Sequence, residues 1–204
     1  MGATRVIRWA DLTVTPWKNG GGRTREIAGA PAGAGIADFA WRVSVAEVED
    51  DGPFSAFPGV DRQIMLIDGT VMVLDVDGTE HRLAPFSPLA FPGDAATLGS
   101  IPSGPTRDLN LMTRRGHATG TMRAVPVDAA APYRTPVDTG GVLVLLALTD
   151  GLVLQPTDPT DVAAAGGGHV LSRLDAVIQD QPGPVCVSGA GMLAQIRVDV
   201  PGRD

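Results

Sequence analysis

Gln63-Ile64-Met65-Leu66-Ile67-Asp68-Gly69-Thr70-Val71-Met72-Val73-Leu74 decides the fold class. An apolar run of strand length meets an Asp-Gly pair, and a second apolar run follows. Asp-Gly between hydrophobic segments is a strong hairpin signal, because the turn needs residues that accept positive φ. The first run is apolar on both faces, so it reads as a buried central strand. The pattern recurs as Val142 to Leu148, Asp150-Gly151 and Leu152-Val153-Leu154. A further pair, Asp77-Gly78, turns the chain into Glu80 to Leu83. Two matching strand–turn–strand units fit two similar β modules in one chain.

Outward from these runs the chain stays short-segmented. Its 204 residues include 26 glycines and 17 prolines, spread throughout. Residues 1 to 15 alternate weakly, as an edge strand does, and Thr24 to Ala28 reads as a strand before a small-residue loop from Gly29 to Asp38. In the next strand Trp41, Val43 and Val45 share one face, and Arg42 and Ser44 the other, by the period of two. Glu49 to Gly59 is a turn-rich connection with Phe54 and Phe57 pinned to it. Pro85 to Asp94 is punctuated by prolines and ends in a tight turn, Pro92-Gly93-Asp94, and Gly99 to Pro105 reads as a loop. In Arg107 to Gly116, Asp108, Asn110 and Met112 share a face, so two polar groups can point together into a pocket. Thr157 to Gly168 reads as a loop, with Val170 to Ile178 and Met192 to Val200 as the last strands. The whole is the signature of an all-β sandwich or barrel.

Composition excludes several function classes. With 44% hydrophobic and 19% charged residues the chain is expected to fold and be soluble. A net charge of −7 argues against a nucleic-acid partner, which favours a basic face. Cys186 is the only cysteine, set in an apolar run, so it reads as a buried, inert thiol with no disulfide. No apolar run reaches membrane-spanning length, and Met1 to Leu12 holds no signal-peptide core, so a cytoplasmic setting is expected. His81, His117 and His169 stand singly, without the clustered imidazoles or thiolates that a transition metal wants. No metal and no cofactor are expected. Gly20-Gly21-Gly22-Arg23-Thr24 lacks the Lys-Ser/Thr pair of a phosphate-binding P-loop.

The richest polar stretch is Pro16-Trp17-Lys18-Asn19-Gly20-Gly21-Gly22-Arg23-Thr24-Arg25-Glu26. Lys18 is the only lysine among 16 Lys+Arg residues, and Asn19 is one of two asparagines with Asn110. Glycine amides without flanking Cβ atoms can curve around an acceptor. The plain reading is an Asn-Gly turn with a solvated lysine; rarity and adjacency favour a site. Lys18, Asn19, the glycine amides, Arg42, Arg62 and Asn110 together have anion-binding character, arginine offering a planar fork suited to a carboxylate. The plain alternative pairs Arg42 and Arg62 with acids such as Glu47, Asp61 or Asp108. No nucleophile–base arrangement stands out; an enzyme would need Lys18, Asp108 or Glu47 for proton transfer.

Three stretches resemble the HutD/Ves family: PWKNGGGRTREI at 16–27, FAWRVSVAEVEDDGPFSAFPGVDRQIMLIDG at 39–69 and DLNLMTRRG at 108–116. They cover the first two-thirds of the chain. The resemblance implies a bicupin, two cupin-like jelly-roll β-barrels in one chain, without the usual cupin metal ligands. It implies a ligand site of Lys18, Asn19, Gly20, Trp41, Arg42, Arg62, Asp108 and Asn110. HutD members accompany histidine-utilisation genes and are thought to sense a small pathway metabolite; Ves members are described mainly as stress-responsive.

The expectation is a first module over 1–124 and a second over 125–204, with strands exchanged between them. The expected role is a metal-free bicupin that binds a small carboxylate, with urocanate, formylglutamate or formate as candidates, and regulates or senses histidine utilisation. No membrane partner is expected, and a homodimer is the self-association to test. The competing expectation is a metal-independent isomerase or lyase of a small organic acid.

Overall fold

A computed structural model of the protein describes residues 4–156 and 168–202. In chain order the strands are β1 (Arg5–Ile7), β2 (Val14–Pro16), β3 (Gly22–Ala30), β4 (Trp41–Val48), β5 (Gly52–Pro53) and β6 (Val60–Asp68). Next come β7 (Met72–Val76), β8 (Thr79–Leu83), β9 (Pro88–Pro92), β10 (Thr97–Ser100), β11 (Thr106–Arg114) and β12 (Thr119–Val127). The remainder are β13 (Tyr133–Val137), β14 (Gly141–Ala147), β15 (Leu152–Gln155), β16 (His169–Leu171), β17 (Ala176–Gln179), β18 (Gly183–Gly189) and β19 (Gly191–Asp199). Among the described residues the only helical element is a 3-10 turn at Trp9–Asp11, and no helix is long and apolar enough to cross a membrane. The all-β reading of the sequence therefore holds.

The chain forms two compact units. Unit I is Leu12–Met122; unit II joins Met1–Asp11 to Arg123–Asp204. The sequence reading places a boundary at 124/125 and leaves the first residues in the first module. Here the division falls between Met122 and Arg123, and the first eleven residues go with the C-terminal part. The reason is β1, which pairs antiparallel with β17, Arg5 opposite Ile178. Asp175 holds the same segment by accepting from Arg8 Nη1 at 2.7 Å and the Trp9 backbone N–H at 2.9 Å.

Unit I is a sandwich of a six-stranded sheet, β2-β3-β4-β11-β6-β9, and a four-stranded sheet, β5-β10-β7-β8. Ile64 and Leu66 from the first meet Met72, Leu74, Val76 and Leu83 from the second in one core. Unit II repeats the plan with β1-β17-β14-β19-β12 and β13-β18-β15-β16. Its core joins Leu143, Leu145 and Ala147 of β14 to Leu152 and Leu154 of β15 and Val185 and Val187 of β18. Each such aliphatic side chain contributes about 1.5–3 kcal/mol on burial. Cys186 is a buried free thiol on β18.

The Asp-Gly pairs divide into two kinds. Asp77-Gly78 is a two-residue hairpin between Val76 and Thr79, with φ of 49° and 80°. Asp68-Gly69 and Asp150-Gly151 are instead corners that carry the chain from one sheet to the other, since β6 and β7, like β14 and β15, lie in different sheets. Both hairpin and corner need glycine's left-handed φ, so the dipeptide alone does not separate them. Pro85 to Asp94 contains β9, which pairs with β6 at the sheet edge, where a missing N–H is tolerated. Val170 to Ile178 is two strands, broken by a turn in which Leu174 has φ +71°. The loop read at 157–168 lies, except for Gly168, outside the described residues.

Candidate functional site

Alternation along β6 turns Arg62, Ile64 and Leu66 to the core of unit I and Asp61, Gln63 and Met65 to the opposite face. Across the ladder Arg62 pairs with Met112 and Ile64 with Asn110. Asp108 lies opposite Leu66 after a bulge at Arg107/Asp108. On the other side of β11, Met112 faces Arg42 and Asn110 faces Ser44. One side of one sheet thus carries Arg42, Ser44, Arg62, Asp108 and Asn110 among core aliphatics.

The centre of this face is a short row of polar groups. Arg62 Nη2 donates to Asn110 Oδ1 at 2.9 Å, and Asn110 Nδ2 donates to Asp108 Oδ1. Arg62 is 4% exposed, Asn110 3% and Asp108 0%. Three phenylalanines enclose the guanidinium, with ring centroids at 4.9 Å (Phe91), 5.4 Å (Phe54) and 5.4 Å (Phe57). Each such contact adds up to about 2 kcal/mol when water is excluded. Three buried atoms on this face have no hydrogen-bond partner: Arg62 Nε, Asp108 Oδ2 and Thr106 Oγ1. Leaving one such group unmet costs about 1–3 kcal/mol.

Burial sets the protonation of the pair. It pushes the Asp108 carboxyl up to about 7, against the pull of Arg62 and the Asn110 hydrogen bond. It also draws Arg62 down to about 10, against Asp108 and with help from Arg42, so the guanidinium stays cationic at neutral pH. At the margin Arg42 is held by Glu26, Nε to Oε2 at 2.7 Å, and donates to Ser44 Oγ at 3.2 Å.

The glycine-rich stretch forms the turn between β2 and β3, and Lys18, Asn19 and Gly20 are all exposed there. Its amides have internal acceptors: Gly20 N–H donates to Trp17 O at 3.1 Å and Gly21 N–H to Asn19 Oδ1 at 3.2 Å. Gly20 has φ +78°. A Cβ on Gly22 would collide with the Glu47 carbonyl and lie 3.2 Å from the Trp17 ring. Trp17 is the link inward, with its ring 6.2 Å from Phe54 and its Nε1–H donating to Thr24 Oγ1 at 2.8 Å.

Arg62, Asp108 and Asn110 are therefore brought into contact, with Arg42 on the same face. Lys18, Asn19 and Gly20 sit on the neighbouring hairpin. Trp41 alternates to the opposite face, buried with its Nε1 unpartnered. Glu47, also on that face, takes Arg23, Arg25 and Arg107; burial would raise its pKa, but the hydrogen bonds from Arg23 and Arg107 outweigh that and hold it low. A cavity of about 390 Å³ takes Asp61, Gln63, Leu111 and Thr113 from the same opposite face and is lined by Arg62 and Phe91 as well. Of the residues that carry the unmet buried atoms, Arg62 lines this cavity, whereas Asp108 and Thr106 do not, and the buried atoms define the chemistry. Thr106 and Phe91 were not among the sequence candidates; the period of two points back from Asp108 to Thr106, whereas nothing local points to Phe91. Among the described residues no group of three His, Cys, Asp or Glu could hold a metal ion.

The HutD family model matches residues 9–194. An uncharacterized 21.2 kDa protein in the hutC 3′ region of Pseudomonas putida is 41% identical over 113 residues, 55% of this chain and 59% of that protein. Protein Ves of Citrobacter koseri is 36% identical over 137 residues, 66% of this chain and 69% of its own length. The structure of HutD from Pseudomonas fluorescens SBW25, from a formate condition, superposes with a TM-score of 0.80 at 31% identity, covering 98% of this chain and 100% of that one. The pirin YhhW of Escherichia coli, solved with nickel(II), gives 0.65 at 7% identity over 98% and 99%, a likeness of fold alone.

Proposed function

The chain belongs to the HutD family, and on that premise we propose that it binds a small carboxylate metabolite inside unit I and acts as a sensor or regulator linked to histidine utilisation. One observation carries the reading. Arg62 Nε, Asp108 Oδ2 and Thr106 Oγ1 are buried together on one face without partners, and a ligand bearing a carboxyl group would satisfy all three. Arg62 supplies the charge-assisted donor, Thr106 a hydroxyl, and Asp108 a carboxyl able to share a proton. The Phe54, Phe57 and Phe91 cage fixes the guanidinium and excludes water. Lys18 is exposed and follows Trp17, whose ring packs on Phe54. We read the two units as two cupin-like barrels, recognition as metal-independent and the setting as cytoplasmic. The hutC-region relative and the formate condition of the HutD structure make urocanate, formylglutamate and formate the probes of choice.

Calorimetric titration of these acids into wild type and Arg62→Ala tests the reading. Losing a charge-assisted hydrogen bond costs about 1.5–3 kcal/mol, on the order of ten- to a hundred-fold in affinity. A folded variant that binds as tightly as wild type removes Arg62 from the site. A second reading, an isomerase or lyase, is favoured by the Asp108 carboxyl lying near neutrality, where a general acid–base works best. Turnover of a bound acid, lost in Asp108→Asn, would select it.

A further inference from the structure

Unit II repeats the Asn110 arrangement with other residues. In each unit the strand before the Asp-Gly corner pairs with the unit's last long antiparallel strand, β6 with β11 and β14 with β19. Asn110 stands opposite Ile64, and Gln195 opposite Leu145, both core aliphatics. Gln195 is 2% exposed. Like Asn110, it accepts from an arginine and donates to a buried oxygen: Arg123 Nε reaches Gln195 Oε1 at 2.5 Å, and Gln195 Nε2 reaches Thr135 Oγ1 at 3.4 Å.

The two networks end differently. In unit I the row ends on the Asp108 carboxyl. In unit II it ends on a second arginine, since Arg197 Nη2 donates to Thr135 Oγ1 and, at 2.9 Å, to Pro136 O. Neither Arg123 nor Arg197 has a carboxylate within ion-pair distance among the described residues. Arg123 is exposed, on the same alternation of β12 as Val127, a core residue. On β13, Tyr133 lies two residues before Thr135 on the same face, with its hydroxyl buried and without a partner. Two guanidinium groups, anchored through a buried Gln–Thr pair beside an unused hydroxyl, make a donor-rich array with no negative charge in it.

We propose that Arg123, Arg197, Gln195 and Tyr133 form a second anion site, within unit II, for a compact dianion such as a phosphate group or a small dicarboxylate. The guanidinium forks supply charge and planar donors, Tyr133 adds a neutral donor, and Gln195 with Thr135 holds both arginines in register. Because no carboxyl stands in this array, the anion enters without a proton.

Calorimetric titration with inorganic phosphate and with malonate, at ionic strength fixed by sodium chloride, tests the proposal. Saturable binding of either probe is expected, weakened roughly ten- to a hundred-fold in Arg123→Gln and in Arg197→Gln. Phosphate alone, malonate alone, or both then identifies the source of the dianion. Tyr133→Phe removes a hydroxyl that has no partner in the protein, so it keeps or raises the melting temperature while weakening binding several-fold. That variant decides the matter if an arginine variant fails to fold. Absence of saturable binding of both probes overturns the proposal. Binding that persists in the folded arginine variants and in Tyr133→Phe, or that vanishes in Arg62→Gln instead, also overturns it.

Discussion

Replacing Asp108 by asparagine isolates the energetics of the buried row. The asparagine keeps the planar shape and the oxygen that accepts from Asn110, but it cannot ionise. In wild type the native carboxyl titrates at about 7, against an ordinary value of 3.8. Between those values the native state holds a proton that the unfolded chain has released. Stability is therefore greatest below the ordinary value, falls by about 1.36 kcal/mol per pH unit across the window, and levels off above the native pKa. The total is roughly 4 kcal/mol, undiminished by solvent because Asp108 is 0% exposed. The variant escapes this loss, so variant-minus-wild-type stability should rise by roughly 4 kcal/mol from about pH 4 to about pH 8, or ~8–16 °C in Tm. Urea unfolding of both proteins at steps of one pH unit measures it, and titrations shared by the two proteins cancel. A difference flat to within about 0.5 kcal/mol, less than half the change expected for one pH unit, would refute the reasoning. A difference of opposite slope would show that Arg62 outweighs burial.

Three further outcomes follow from the same geometry. A carboxylate entering beside Asp108 favours its protonated form, so affinity should fall as pH rises above 7, by up to about tenfold per pH unit; Arg62, Arg42 and Glu26 are the other charged groups facing the site, and binding without proton uptake in buffers of different ionisation enthalpy would contradict this. Gly22→Ala should cost roughly 1–3 kcal/mol by overpacking and shift Trp17 emission, whereas Gly20→Ala, with open space at its Cβ, should cost about 1–2 kcal/mol through its φ alone and leave emission unchanged. Dialysis against a chelator should leave ligand binding intact; about one zinc, iron or manganese per chain, retained and required for binding, would refute metal-independent recognition.

Strand content was legible because each apolar run is bounded by residues with a local reason to turn. Asp77-Gly78 needs only its own φ angles to be a hairpin. Whether Asp68-Gly69 closes a hairpin or turns a corner depends on which strands Met72–Val76 later meets, and that information sits at β8 and β10. The Asp108–Asn110 spacing and the arginine opening the β6 run were equally local, and the structure joins them. The aromatic cage was not, because Phe54, Phe57 and Phe91 come from separate segments and converge only when two sheets pack. The triple glycine shows another limit. Rarity drew attention to Lys18 and Asn19, but two demands on glycine, left-handed φ at Gly20 and room for the Trp17 ring at Gly22, arise from the hairpin itself.

The ion pair from Arg8 to Asp175 spans 167 residues, and its consequence lies in biosynthesis. A ribosome adding about 5–20 residues per second needs roughly 10–30 s to travel from one to the other. All of unit I emerges in that interval and can collapse around its own core. Throughout it, β1 waits as a strand with open hydrogen-bonding edges, the kind of segment that recruits wrong partners. A chain terminated before Ala176 would thus retain every residue of the Arg62 site while orphaning its own first strand. Loss of these last 29 residues should show itself first as aggregation, with ligand recognition outlasting solubility.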